Sequence, residues 1–195
     1  MPEPTKLIRM LFQIFSLILQ VVVGVVASTC LLRMYMHLQR INMSANGGNP
    51  IAPFVFTLTN WIVLPARRFV PAMGRLDTAS LVAAYAVLLA KHSLLWILAG
   101  ATAHWLSLMT NAGFELLSVI LSSMMWLTIA YALMSWFSAA SDVRYFLAQL
   151  VDPLLRPIRR VLPLMGGVDL SPIALLLLIQ IVEIVLHNVQ MQVAF

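Results

Sequence analysis

The stretch Asp152-Pro153-Leu154-Leu155-Arg156-Pro157-Ile158-Arg159-Arg160-Val161-Leu162-Pro163, continuing Leu164-Met165-Gly166-Gly167-Val168-Asp169-Leu170-Ser171-Pro172, gathers three arginines, two aspartates, four prolines and two glycines between long apolar runs. Aspartate followed by proline at 152–153 reads as an N-cap with proline in the first helical turn. Arg156, Arg159 and Arg160 then share one face of a short helix, with Leu154, Leu155, Ile158, Val161 and Leu162 on the other. That division of faces predicts a helix lying in a membrane interface. Gly166-Gly167 is expected to end it, and Ser171-Pro172 to open the next helix.

The same text occurs a second time. Shifted by 92 positions, Pro65, Arg67, Arg68, Pro71, Met73, Gly74 and Asp77 fall on Pro157, Arg159, Arg160, Pro163, Met165, Gly166 and Asp169, seven identities in thirteen gap-free columns. Agreement at that density reads as an internal duplication. The second copy is the fuller one, since Asn60 stands where the other has Asp152, and Leu64 where it has Arg156.

Composition decides what surrounds these motifs. Of 195 residues 62% are apolar and only 10% charged, and the mean hydropathy is +0.94. Soluble domains carry roughly 25% charged residues, so the deficit argues for a membrane protein. The formal charge of +5 does not point to nucleic acid. The arginines flank apolar spans, no aromatic-basic binding signature accompanies them, and anionic lipid headgroups at the Arg motifs are the simpler partner. Cys30 is the single cysteine, so no disulfide within the chain and no cysteine-based metal site is possible.

Working outward, the fold class is an all-α polytopic membrane protein with four transmembrane helices in two parallel repeats. Residues 1–10 are a tail. The first repeat, 11–102, has spans at about 11–32 and 79–102 around a motif at 60–80. The second, 103–195, has spans at about 114–137 and 171–191 around a motif at 152–172. Twenty-two residues at about 1.5 Å each cross a hydrocarbon core of about 30 Å. The first run is too long, and lacks the cleavage pattern, for a signal peptide; it reads as an uncleaved span. Phe54 to Leu64 is too short to cross and reads as a re-entrant or interface segment, with Val143 to Val151 as its counterpart. Asn46-Gly47-Gly48-Asn49-Pro50 reads as an inserted turn in the first copy, and Ser138 to Asp142 as the shorter turn in the second. Nine of the twelve lysines and arginines lie in the two motif-bearing loops and none in 103–112. The positive-inside rule therefore places both motifs in the cytoplasm.

At the motif a family resemblance becomes specific. DPLLRPIRRVLPLMGGVDLSP, preceded by the degenerate LPARRFVPAMGRLDTAS, resembles the YggT family of bacterial integral membrane proteins, and the copies with their spans cover nearly the whole chain. The resemblance implies a multi-pass protein of the bacterial inner membrane. It also implies a contribution to osmotic-stress tolerance through potassium uptake or its regulation. Relatives near cell-division genes, and plastid relatives that assist haem attachment or nucleoid distribution, imply the alternative: a non-transporting scaffold or assembly factor whose motifs recruit a partner. The resemblance supplies no catalytic residue.

The candidate site residues fall into two groups. Arg67, Arg68, Asp77, Asp152, Arg156, Arg159, Arg160 and Asp169 form the motif set. One reading makes them a docking surface in which Arg159 and Arg160 engage Asp152, Asp169 or an acidic partner. The other makes the arginines snorkel to lipid phosphates and fix topology. Lys91 and Glu183 form the second group, one repeat offset apart and each fourteen residues after its motif aspartate. An ionisable residue inside a span costs roughly 2.5–3.5 kcal/mol on insertion scales. The two are expected at equivalent depths, facing one another, as a clamp between repeats or a station on an ion or proton path. Glu115 reads as an acid at the N-terminus of the third span.

His37, His92, His104 and His187 have no metal-ligand spacing. Bonding across helices is the simpler role for His92, His187, Gln180, Asn188 and Gln190. Gly100, Gly113 and the small residues Ala79, Ala83, Ala84 and Ala86 point to close helix packing, and with it a homo-oligomer or a membrane-protein partner. No nucleophile elbow, P-loop or dinucleotide fingerprint appears, so neither an enzyme nor a cofactor is expected.

Overall fold

The structure is a computed structural model that describes residues 4–43, 49, 51–71, 74, 76–100, 105–136, 142–162 and 169–193. Six helices follow one another among them: α1 Pro4–Leu38, α2 Ala52–Phe69, α3 Thr78–Ala99, α4 Trp105–Trp136, α5 Asp142–Val161 and α6 Ser171–Val193. Four are long and apolar enough to cross a membrane, over Lys6–Leu38, Thr78–Ala99, Trp105–Met134 and Ser171–Val193. Each half of the chain therefore runs span, amphipathic helix, span.

Several boundaries differ from the sequence reading because a helix continues where a break was expected: α1 takes in part of the expected tail and runs on to Leu38, and α4 begins at Trp105 and not near 114. The segments on either side of Pro65 are one helix, and Pro153 and Pro157 likewise lie inside α5. Asp152 is consequently a mid-helix residue and not an N-cap. Proline removes one backbone donor and frees the carbonyl four residues earlier. At a membrane surface water can take up those carbonyls, so the helices survive. The expected turns at 46–48 and 138–141 and the expected stop at Gly166-Gly167 lie outside the described residues.

Small side chains set the packing. Ala27 on α1, Ala79, Ala83 and Ala84 on α3 and Ala112 on α4 are fully or almost fully buried, so the backbones of α1, α3 and α4 approach closely. Hydroxyls inside the spans turn back onto their own helices. Thr29 donates to the Val25 carbonyl at 2.7 Å, Ser93 to Leu89 at 2.8 Å and Ser123 to Val119 at 2.6 Å, which satisfies them without a partner helix. α3 packs against α1 and α4, α4 also against α1 and α6, and no comparable packing joins α6 to α1. α2 fills the angle between α1 and α3, and α5 that between α4 and α6. A second apolar cluster, with Met36, Val55, Leu150 and Leu155 at its centre, ties the end of α1 to both amphipathic helices.

Candidate functional site

Polar chemistry collects at three places: one beside each amphipathic helix, and one inside the spans. In the first half, Asp77 sits just ahead of α3 with its side chain fully buried. Its Oδ2 accepts hydrogen bonds from Arg67 Nη2 at 2.9 Å and from Ser80 Oγ at 2.7 Å. Arg33 comes in from α1, its Nε 3.9 Å from the same carboxylate oxygen. Arg33 also donates from Nη1 to Thr59 Oγ1 at 2.8 Å and to Asn60 Oδ1 at 2.9 Å, and its guanidinium lies 4.9 Å from the Phe56 ring centroid. One side chain thus joins α1, α2 and the start of α3. Burial alone would raise the Asp77 carboxyl. The bonds from Ser80 and Arg67 and the charges of Arg67 and Arg33 outweigh it and hold the group below the usual carboxylate range.

In the second half, Arg159 takes the central place. It donates from Nη1 to Asp152 Oδ1 at 2.9 Å and from Nε to Asp169 Oδ2 at 3.0 Å, and from Nη2 to the Tyr131 hydroxyl of α4 at 3.3 Å. Asp169 accepts the backbone N–H of Ser171 at 2.9 Å, so the acid starts α6 and anchors α5 at once. Burial opposes the Arg159 charge, but these acceptors raise its pKa further above an already high value. Burial would likewise raise Asp169, yet Ser171 and Arg159 bring it below the usual range.

The third cluster lies in the spans and corrects the expected pairing. Lys91 is buried on α3 and its ammonium meets Glu115 of α4, not Glu183. His92 Nε2 lies 2.6 Å from the other oxygen of the same carboxylate. Repeat-equivalent residues face one another only when their helices lie on the symmetry axis. Here α1 and α4 touch one another, while no comparable packing joins α3 to α6. Glu115 is also no helix-terminal acid, because α4 begins ten residues earlier, at Trp105. Glu115 is one of the few polar residues lining a groove of about 610 Å³ between α1 and α4, with Gln20, Ser28, Thr29, Ser122 and Ser123, and its Oε2 is buried.

The motif residues therefore divide. Arg67, Asp77, Asp152, Arg159 and Asp169 form the two interhelical clamps, whereas Arg68, Arg156 and Arg160 are exposed. A polar cavity on α5, lined by Arg156, Asp142, Asp152, Gln149 and Arg40, adjoins the end of α1. Sequence reading missed Arg33, Asn60, Tyr131 and Glu115 as clamp or cluster members. An arginine ending an apolar run is the one signal that marked Arg33, and it reads equally as a topology charge. Among the described residues no group of three or more His, Cys, Asp or Glu is placed to hold a metal ion.

Comparison with known proteins follows the same two-part layout. The family model CCB3/YggT matches residues 7–98 and again 110–190. The protein YggT of Escherichia coli K12, described as uncharacterised, is 38% identical over 170 residues, covering 86% of each chain. An uncharacterised protein of Vibrio alginolyticus is 30% identical over 148 residues, 72% of this chain and 78% of its own. One from Haemophilus influenzae is 25% identical over 162 residues, 81% of this chain and 83% of its own. No solved structure matches. Two matched segments spanning both clamps, with relatives collinear over most of their length, identify the chain as a member of the CCB3/YggT family.

Proposed function

We propose that this chain moves a small cation or a proton across the bacterial inner membrane, or regulates such movement, and through it contributes to osmotic-stress tolerance. The observation that carries this reading is Glu115, an acid inside the spans whose carboxylate is held by Lys91 and His92 beside the groove between α1 and α4. A carboxylate at that depth has a high insertion cost, which marks it as a functional site, and ion and proton paths are among the uses made of such groups. Seryl, threonyl and glutaminyl oxygens along the same groove are the ligand type that hard monovalent cations accept. Potassium is the ion that the family resemblance brings in.

The motif faces are assigned to the cytoplasm by the positive-inside rule. Their exposed arginines, Arg68, Arg156 and Arg160, then lie where anionic headgroups are found. One further observation favours a scaffold as the second reading: the polar cavity on α5 leaves Arg156 open to an acidic partner.

Potassium and proton flux into proteoliposomes, with and without an osmotic step, separates the two. Transport requires protein-dependent flux that falls at least ten-fold in Glu115→Gln while the protein stays folded. Flux indistinguishable from empty vesicles would remove the transport reading. Crosslinking from Arg156 to a membrane partner in cells would then support the scaffold.

A further inference from the structure

α6 carries Gln180, Glu183, His187 and Gln190 at i, i+3, i+7 and i+10, which places all four on one stripe of the helix. Gln190 is anchored inside the chain, its amide 3.4 Å from Asn111 Oδ1 of α4. The rest of the stripe is not. Gln180 and His187 are exposed and Glu183 is partly exposed, and among the described residues none of the three has a hydrogen bond or ion pair. Three polar side chains, two of them ionisable, turned towards lipid along a single stripe are costly. Scattered polar residues would not select one face.

α1 carries a matching stripe. Gln13, Ser16 and Gln20 follow helical spacing, and both glutamines are exposed. The two stripes also agree in depth. Arg33 of α1 lies level with Asp77, 3.9 Å away, and Asp169 is the repeat counterpart of Asp77. Gln20 stands thirteen residues from Arg33 (33 − 20), and Glu183 fourteen from Asp169 (183 − 169). Each is therefore about 20 Å from the motif face. α1 runs towards that face and α6 away from it, so the helices are antiparallel in sense. Among the described residues no packing comparable to that of the other helix pairs joins them.

The equivalent boundary inside the chain is filled. Where α3 meets α4, the Lys91–Glu115 ion pair and a 3.0 Å hydrogen bond from the Tyr85 hydroxyl to the Met109 carbonyl join antiparallel helices. By the repeat, α6 stands where α3 does and α1 where α4 does. We propose that a second copy of this chain completes the pattern: α6 of one copy packs antiparallel on α1 of the next. In that contact Glu183 accepts from the Gln20 amide and His187 lies beside Ser16. The contact is heterologous, so repeated application gives a ring where the rotation closes and an open row where it does not. Gln20 also lines the α1–α4 groove, so the contact borders that groove.

Two tagged forms test it, one with Ser16→Cys and one with His187→Cys, each also carrying Cys30→Ala, coexpressed and oxidised in membranes. The expected product has twice the chain mass and both tags. Its absence overturns the proposal, as does a doubly substituted chain that closes only on itself, which would mean that α6 swings onto its own α1. Sedimentation in detergent supplies an independent measurement. Glu183→Leu removes an ionisable group from the bilayer, so insertion is not endangered, and association is expected to weaken about ten-fold. Glu183→Gln keeps a hydrogen-bonding group and should retain most of it. Unchanged association in Glu183→Leu refutes the polar contact.

Discussion

The two clamps tie the same elements with opposite charge ratios. In the first half two arginines, Arg33 and Arg67, share one carboxylate, Asp77, with Asn60 as a neutral acceptor. In the second half one arginine, Arg159, holds two carboxylates, Asp152 and Asp169, with Tyr131 as the neutral partner. Their burial differs as well. The side chains of Arg33 and Asp77 are 4% and 0% exposed, whereas Arg159, Asp152 and Asp169 are each about a third exposed, at 34%, 39% and 29%. The difference teaches that the motif specifies a joint between helices and not a fixed charge. The first joint is set into the packed core, with its central arginine drawn from a spanning helix. The second is nearer the surface, and its central arginine comes from the amphipathic helix itself.

Removing the central arginine breaks the comparison most sharply. Arg33→Ala leaves Asp77 with the Ser80 hydroxyl and, as its one cation, the exposed Arg67, and Thr59 and Asn60 lose their donor. A buried pair broken from one side costs about 3–5 kcal/mol. Arg159→Ala leaves two acids close together but wet enough to be screened, so roughly 1–2 kcal/mol is expected. Thermal unfolding of both variants in detergent checks the order. Equal losses would mean that burial does not separate the joints.

Acid acts on both joints in one direction and with a smaller effect over the accessible range. Asp77 and Asp169 are held below their ordinary carboxylate values in the folded chain. Their contribution is fully present above the unfolded value of about 3.9 and fades as pH falls below it, through the folded value. The share of stability that these two acids supply is therefore flat from pH 7 to about 5 and declines below about 4. In Arg159→Ala the decline should be shallower, because Asp169 no longer carries that arginine's share of the shift. A decline of unchanged steepness, followed by tryptophan fluorescence against pH, would uncouple Asp169 from Arg159.

Much of this was legible in the sequence, for identifiable reasons. Spans are written in apolar length, which tertiary context cannot overrule in a bilayer, and the four runs became four helices. The seven shared motif columns, and Arg159 with its two acids, stood in the text because i, i+7 and i+10 contacts are local. What could not be read is which helix lies beside which. Lys91 and Glu183 share a depth, but depth does not choose a neighbour, and Glu115 won the lysine because α4 and not α6 flanks α3. Arg33 reaches Thr59 and Asn60 across 26 and 27 residues of chain, and no spacing rule covers that interval. The prolines misled for a physical reason too, since breaking a helix is their rule only where the freed carbonyl has no other partner.

The smallest effect is the most informative about the charge ratio. Asn60→Asp gives the first joint the second carboxylate that the other joint already has, at the homologous position and 2.9 Å from Arg33 Nη1. Two arginines would then face two acids. The added carboxylate loses some hydration, because position 60 is partly buried, but it gains a full charge partner where Asn60 offers a dipole. The balance favours the acid by at most about 1 kcal/mol. The same exchange in reverse, Asp152→Asn, relieves crowding between two acids and replaces a charged acceptor of Arg159 by a neutral amide oxygen, so a loss below about 1 kcal/mol follows. A double-mutant cycle with Arg33→Ala isolates the coupling: the gain from Asn60→Asp should vanish once Arg33 is gone. If Asn60→Asp instead destabilises the chain by more than about 1 kcal/mol, then the amide is required as a neutral spacer. The unequal charge ratios would then be a condition of each joint's burial and not an interchangeable detail.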